Sequence, residues 1–261
     1  MRWGIPWLGS KNIYAKKILE ILPKGRRLVD LFAGGCAITD CAVNCFFDKW
    51  KYILVNDIDA RPIRLYAQCI KGKCPLRCKF VSREEFLKTD DFATKLVWSF
   101  GNDMRSYMYS TERENITKNI YMQLDQNITA KEQHDKIIKL RRSTRHGIQS
   151  LWNLERLEQL ERLDQEVLSC IQFSNVSYEK YKYQSGDIVY CDIPYMRTEC
   201  SHYSTEFDHF KFYKWAMRQK FDVYISERMI PRGAEIVGKF YVPNRAQSGV
   251  NGYAIEYLIK I

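Results

Sequence analysis

The sequence predicts an α/β fold, an open and mainly parallel sheet whose two parts are separated by a helical insertion. Three observations predict it. The first third alternates helical and strand periodicity. Strand-like sequence resumes only after about residue 170, and the stretch between is polar, aromatic and without that rhythm.

The elements follow in order. Tyr14, Ile18, Ile21 and Leu22 make a helical apolar stripe, stopped by Pro23 and Gly25. Leu28 to Phe32 reads as a short apolar strand. Ile38, Cys41, Ala42 and Cys45 form the next helical stripe, and Tyr52 to Val55 a second strand ending in Asn56 and Asp57. Ile63, Tyr66, Ala67 and Ile70 repeat the helical period until Gly72. Such alternation implies parallel strands joined by crossover helices. The middle ends in a near-repeat, LERLEQ then LERLDQ, with leucines at 151, 154, 157, 160 and 163. Steps of three drift the apolar face around a helix, which predicts a packed helix rather than a zipper. Cys170 to Val176 is strand-like, and Ile188 to Cys191 is a strand delivering Asp192 at its carboxyl end. A helix over about 208–220, a strand at Val223 to Ser226, and an antiparallel pair (Ile236-Val237 with the alternating Ile255, Tyr257, Ile259 and Ile261) close the chain. The expected organisation is a split domain, 1–70 and 167–261, around an insertion, 71–166.

A chain of 261 residues can bury one substantial core and a smaller lobe. An apolar fraction of 46% argues against disorder. No stretch approaches the ~18 apolar residues of a membrane span, and no charged-then-apolar export signal opens the chain. A cytosolic protein with no membrane partner is expected, a monomer by default. The net charge of +10 with 14% aromatic residues suits a polyanionic partner, because Lys and Arg gain by releasing counterions from phosphates. Lys131, Lys136, Lys139, Arg141, Arg142 and Arg145 cluster against only Glu132 and Asp135, which makes Lys139, Arg141, Arg142 and Arg145 candidate contacts to a nucleic-acid backbone. Nine cysteines without a C-x2-C pair or an export signal read as reduced thiols. Cys41 and Cys45, four apart on a helix, are expected to be buried. No metal is expected, at Cys74 and Cys78 or elsewhere.

In open α/β sheets ligands bind beyond the carboxyl ends of the strands. Asp30, Asp57 and Asp192 all lie in or just after predicted strands. Gly34-Gly35 follows the first strand and allows close backbone approach, though the glycines alone read equally well as an ordinary turn. Asp57 stands where a carboxylate can hold ribose hydroxyls. Neither G-x-G-x-x-G nor G-x4-G-K-[ST] occurs, so a nucleoside cofactor lacking a pyrophosphate fits better than NAD or ATP. S-adenosylmethionine is such a molecule. In Asp192-Ile193-Pro194-Tyr195, the carboxylate and a backbone carbonyl can accept the two hydrogens of an exocyclic amino group and favour a pyramidal nitrogen. Asp192 would mainly stabilise the developing positive charge, and Tyr195 offers a stacking face for a base turned out of its helix.

Taken in order, Trp7-Leu8-Gly9-Ser10-Lys11, Asp30-Leu31-Phe32-Ala33-Gly34-Gly35, Asn56-Asp57 and Asp192-Ile193-Pro194-Tyr195 resemble the motifs of the DNA adenine methyltransferases. Those enzymes carry W-x-G-[GS]-K, [DE]-x-F-x-G-x-G, an N-D or A-D pair and, after an inserted target-recognition region, D-P-P-Y. The resemblance implies a Rossmann-like S-adenosylmethionine-dependent methyltransferase sheet acting on adenine in double-stranded DNA. It implies cofactor contacts from Trp7, Gly9, Lys11, Asp30, Phe32, Gly34, Gly35 and Asp57. It also implies that Asp192 bridges cofactor and target base. Trp98 to Asn102 and Phe207-Asp208-His209 look like the phage and prophage branch. Two positions depart from the pattern. Cys36 replaces the second glycine, and Ile193 replaces the first proline; the latter's contribution is a carbonyl that isoleucine also has, and Pro194 keeps Ile193 extended. A cytosine-amino or RNA methyltransferase, and a DNA-binding protein that keeps the fold without turnover, remain the alternatives.

Overall fold

The computed structural model describes residues 2–76, 79–122, 132, 149–195, 207–243 and 253–261. The chain divides into two compact units. One takes Met1–Ser10, Gly34–Ala37 and Ala60–Leu168, and the other takes Lys11–Ala33, Ile38–Asp59 and Ser169–Ile261.

The second unit holds a seven-stranded sheet. Its strands are β1 (Gly25–Asp30), β2 (Trp50–Asn56), β3 (Ile171–Ser174), β4 (Asp187–Cys191), β5 (Val223–Glu227), β6 (Glu235–Pro243) and β7 (Tyr253–Lys260), in the order β3-β2-β1-β4-β5-β7-β6. The first five are parallel, and β7 runs antiparallel to both β5 and β6. Central parallel strands are covered on both faces, which explains the unbroken burial of Leu28 to Asp30 and of Ile53 to Asn56. From β1 the chain proceeds outward to β2 and β3 on one side and returns to β4 and β5 on the other. That reversal puts a topological switch point at the carboxyl ends of β1 and β4.

Helix α1 (Ala15–Ile21) buries Ala15, Ile18 and Leu19 and stops before Pro23. Helix α2 (Ala37–Cys45) follows the glycine turn. Val29, Leu54, Val189, Ile193, Phe212 and Ile225 are among the buried side chains of one continuous core in this unit. β1 begins three residues earlier than the apolar run suggests. Arg26 and Arg27 disguise its start, and Arg27 is accommodated because Asp187, its register partner on β4, accepts from both its Nε and its Nη2.

The first unit is helical among its described residues, with helices at Ala60–Cys69, Arg83–Lys88, Phe92–Trp98, Thr111–Met122, Gln149–Glu158 and Gln165–Ser169. Trp98 is its buried centre, in ring contact with Phe80, Tyr109 and Tyr121. Of the leucines that step by three, Leu151, Leu154 and Leu157 lie in the α-helix Gln149–Glu158 and Leu160 in the 3-10 turn Gln159–Arg162 after it. All four are buried. Cys36, Cys41, Cys69 and Cys191 are buried as the sequence implies, but Cys45, in the last turn of α2, is exposed.

Candidate active site

The strand β4 ends at Cys191, so Asp192 is the first residue past the sheet at the switch point. Its Oδ1 lies 2.5 Å from Lys11 Nζ, which arrives just ahead of α1. Lys11 is 5% exposed, and a second carboxylate, Glu256 on β7, approaches it at 3.5 Å. The Lys11 ammonium also stands 4.8 Å from the centre of the Tyr195 ring, and the Arg228 guanidinium, just past β5, stands 4.6 Å from it. Burial acts to lower the Lys11 ammonium, but Asp192, Tyr195 and Glu256 outweigh it and hold it well above the ordinary lysine range. Burial pushes the Asp192 carboxyl up to about 6 against the pull of Lys11, and the charges of Glu256 and Glu227 push the same way. Tyr195 is pushed up by burial and stays a neutral ring.

The remainder of that motif is anchored from below. Ile193 is 2% exposed and its side chain belongs to the core with Val189, Cys191 and Phe212. An apolar residue of that bulk fills a position that a proline would leave partly empty. His209, the first residue of the helix His209–Ala216, donates from Nε2 to the Pro194 carbonyl at 2.6 Å.

At the ends of β1 and β2 the sequence candidates take distinct roles. Asp30 is buried, and its Oδ2 accepts from the Thr39 hydroxyl at 2.7 Å and from the Thr39 amide at 3.2 Å. Burial raises its carboxyl to about 7, with Thr39 opposing and Asp192 and Asp57 adding to the rise. Phe32 packs edge-on against Phe207 and Phe212. Asn56 is a structural knot. Its Nδ2 donates to the carbonyls of Leu31 and Val176, and its Oδ1 accepts from Ser174 Oγ and the Val176 amide. This ties together the carboxyl ends of β1, β2 and β3. Asp57, next to it, is 4% exposed with Oδ1 accepting from the Asp59 amide at 2.8 Å.

In the first unit, Trp7 and the glycine pair come together. A side chain at Gly35 would put Cβ 2.4 Å from Trp7 Cβ, so the close approach these glycines permit is made by tryptophan. Gly4 is tighter still, its φ +65° and the Gly35 carbonyl 2.1 Å from where a Cβ would stand. The Ile5 amide donates to that same carbonyl at 2.9 Å. Arg156, on the helix Gln149–Glu158, clamps the segment by donating to the Trp3 and Gly4 carbonyls. Cys36 holds φ +60°, the left-handed region that suits the glycine it replaces. Gly9 makes a turn at φ +77° with open space around it.

Comparison with known proteins decides the family. The model of the D12 class N6 adenine-specific DNA methyltransferases matches residues 7–224. The chain belongs to that family. It is also 31% identical, over 117 residues, to the retron Ec67 DNA adenine methylase of Escherichia coli. That match covers 45% of this chain and 36% of the relative, so it spans about a third of the relative's length. As a D12-class chain, it carries the Rossmann-like methyltransferase sheet its motifs imply, closed by the antiparallel β6–β7 pair.

In the second unit of this D12-class chain, the fold brings Lys11, Asp192 and Tyr195 together. Sequence reasoning missed Glu256 and Arg228 beside that group and, separately in the first unit, Gly4 and Arg156. Glu256 was concealed by the alternation of Ile255, Tyr257 and Ile259, which reads as one buried face; of these only Ile259 is fully buried, whereas Glu256 and Leu258 on the other face both are. Lys139, Arg141, Arg142 and Arg145 lie outside the described residues, as does Cys78. Among the described residues no helix is long and apolar enough to cross a membrane.

Proposed function

We propose that this chain transfers a methyl group from S-adenosylmethionine to the exocyclic amino group of adenine in double-stranded DNA. The observation that carries the reading is the Lys11–Asp192 ion pair just past β4, inside the D-I-P-Y motif. An aromatic amino group is a poor nucleophile because its lone pair is shared with the ring. The Asp192 carboxylate and the Ile193 carbonyl accept its two hydrogens and favour a pyramidal nitrogen. The carboxylate then faces the positive charge that grows as the nitrogen becomes tetravalent, an interaction stronger in the transition state than in the ground state. Lys11 fixes the orientation of that carboxylate in advance. His209 engages the Pro194 carbonyl and so fixes the backbone next to Ile193.

When bound, S-adenosylmethionine supplies an electrophilic methyl on a sulfonium. The donor chemistry of the second unit fits it. Asp57 is a carboxylate at a strand end whose Oδ1 accepts from the Asp59 amide, and a carboxylate is the acceptor that vicinal hydroxyls require. Phe32 and Asp30 stand at the end of β1, and the family resemblance adds Trp7, Gly9, Gly34 and Gly35. We further propose that 71–166 is a target-recognition insertion in a catalytic domain made of 1–70 and 167–261. Lys139, Arg141, Arg142 and Arg145 would bind DNA phosphates. The cytoplasm of a bacterial or phage-infected cell is the compartment this reading requires.

Methyl transfer from labelled cofactor to duplex DNA, followed by nucleoside analysis, tests it. Label in N6-methyladenine is the expected result. Label in cytosine or only in RNA moves the substrate class, and DNA binding without transfer makes the chain a non-catalytic binder.

A further inference from the structure

Lys11 and Asp192 alone form a neutral pair. A neutral pair offers little to a cation developing on the amino nitrogen, because the ammonium cancels most of the field of the carboxylate. Glu256 changes that sum. It is 3% exposed, it enters from β7, and its Oε1 lies 3.5 Å from Lys11 Nζ and accepts no hydrogen bond among the described residues. Burying a carboxylate in that way is costly unless it serves an interaction. Other ionisable groups face the pair. Glu227 ends β5, Arg228 lies just past it over the Tyr195 ring, Asp30 comes from β1, and the tyrosines Tyr190 and Tyr195 flank Asp192. Burial holds Glu227, Asp30 and the tyrosines toward their neutral forms.

We propose that Glu256 is a positioning residue for the methyl-transfer centre, holding Lys11 between two carboxylates and giving the Lys11–Asp192–Glu256 group a net charge of about −1. This rests on the functional reading above, with Asp192 as the group that faces the amino nitrogen. Through Lys11, Glu256 keeps the site anionic at the moment charge develops. Its charge also disfavours ionisation of Asp192.

The test is Glu256→Gln, which keeps shape and removes charge, with Glu256→Asp as the charge-retaining control. Two quantities are read: single-turnover methyl transfer, and the titration midpoint of the Asp192 carboxyl followed by carbon-13 NMR on the protein alone. The expected result is a loss of roughly tenfold or more in rate and a fall in the Asp192 midpoint of about half a unit or more. DNA affinity should be unchanged, and the Asp variant should recover most of both. A Gln variant whose rate falls while the Asp192 midpoint stays in place marks a packing role and overturns the proposal. So does a Gln variant equal to the Asp variant. The titration needs neither cofactor nor DNA. A parent chain that transfers no methyl group therefore removes the functional reading, whereas an unmoved midpoint removes this inference with or without activity.

Discussion

Arg27 and Asp187 face each other across adjacent strands, 160 residues apart in sequence, and are joined by two parallel hydrogen bonds in the middle of the protein. Both side chains are almost completely enclosed. The pair bridges β1, before the insertion, to β4, after it, and so staples the two parts of the sheet at the register that places Asp192.

Breaking that pair from one side should be severe. Asp187→Ala leaves a buried guanidinium without its acceptor and should cost about 3–5 kcal/mol. The double replacement Arg27→Met with Asp187→Leu should cost much less, because no charge is stranded. Urea unfolding of the three proteins checks it; equal losses for the single and the double variant would mean that the pair is not coupled.

Asp192 should control the acid side of the pH profile. Its carboxyl is raised to about 6 by burial, and only the ionised form favours a developing cation. Turnover should be level above that value and fall about tenfold per unit below it. Lys11→Met removes the group that opposes the rise, so the midpoint should move upward. Asp192→Ala should lose about a hundredfold or more at neutral pH while DNA binding persists, since most of that affinity comes from phosphates. Rate measurements from pH 5 to 8 decide both points.

Stability should also depend on pH through Asp30. Its folded-state carboxyl, at about 7, lies above the ordinary value of 3.8. The folded protein therefore holds that proton more tightly than the unfolded chain. The contribution is fully present below the ordinary value and is lost as pH rises through about 7. Asp30→Asn keeps an acceptor for Thr39 and cannot ionise. It should gain on the parent with rising pH, by up to about 4 kcal/mol above neutrality. Matched pH series of unfolding for the two proteins test this, and parallel curves would exclude it.

Gly4 and Gly9 both hold positive φ, but only Gly4 is crowded. Gly9→Ala should cost about 1–2 kcal/mol, the strain of the left-handed region alone. Gly4→Ala adds a collision with the Gly35 carbonyl and should cost clearly more, with cofactor affinity falling too. Cys36→Gly should be close to neutral, since relief of backbone strain offsets the added freedom of the unfolded chain. Thermal melts rank the three.

Arg141, Arg142 and Arg145, neutralised together, should weaken DNA binding and flatten its salt dependence by roughly one unit of slope per lost phosphate contact. An unchanged slope would make the cluster a solvated face.

The α/β alternation and the site acids were legible because each is local: a stripe within ten residues, or an acid at the end of an apolar run. Long-range compensation was not. Arg27 hides the start of β1 unless Asp187 is known to face it. Glu256 reads as the polar side of an alternating strand until β7 is seen to be covered on both faces. Gly4 and Arg156 carry no motif, and their roles exist only because distant backbone carbonyls reach them. The leucine steps of three were visible, but the change to a 3-10 turn at Leu160 depends on packing.

The place of β1 in the sheet also bears on how the protein is made. Its neighbours are β2, which follows at once, and β4, which begins roughly 130 residues after β2 ends. At about 5–20 residues per second, a ribosome needs on the order of ten seconds to deliver β4. For that interval one side of the central strand, with Leu28 and Val29 on it, stands open as an unsatisfied edge, the kind of surface on which nascent chains associate. Synthesis rate, temperature and chaperone supply, rather than the stability of the finished sheet, should therefore govern the yield of folded protein in a cell.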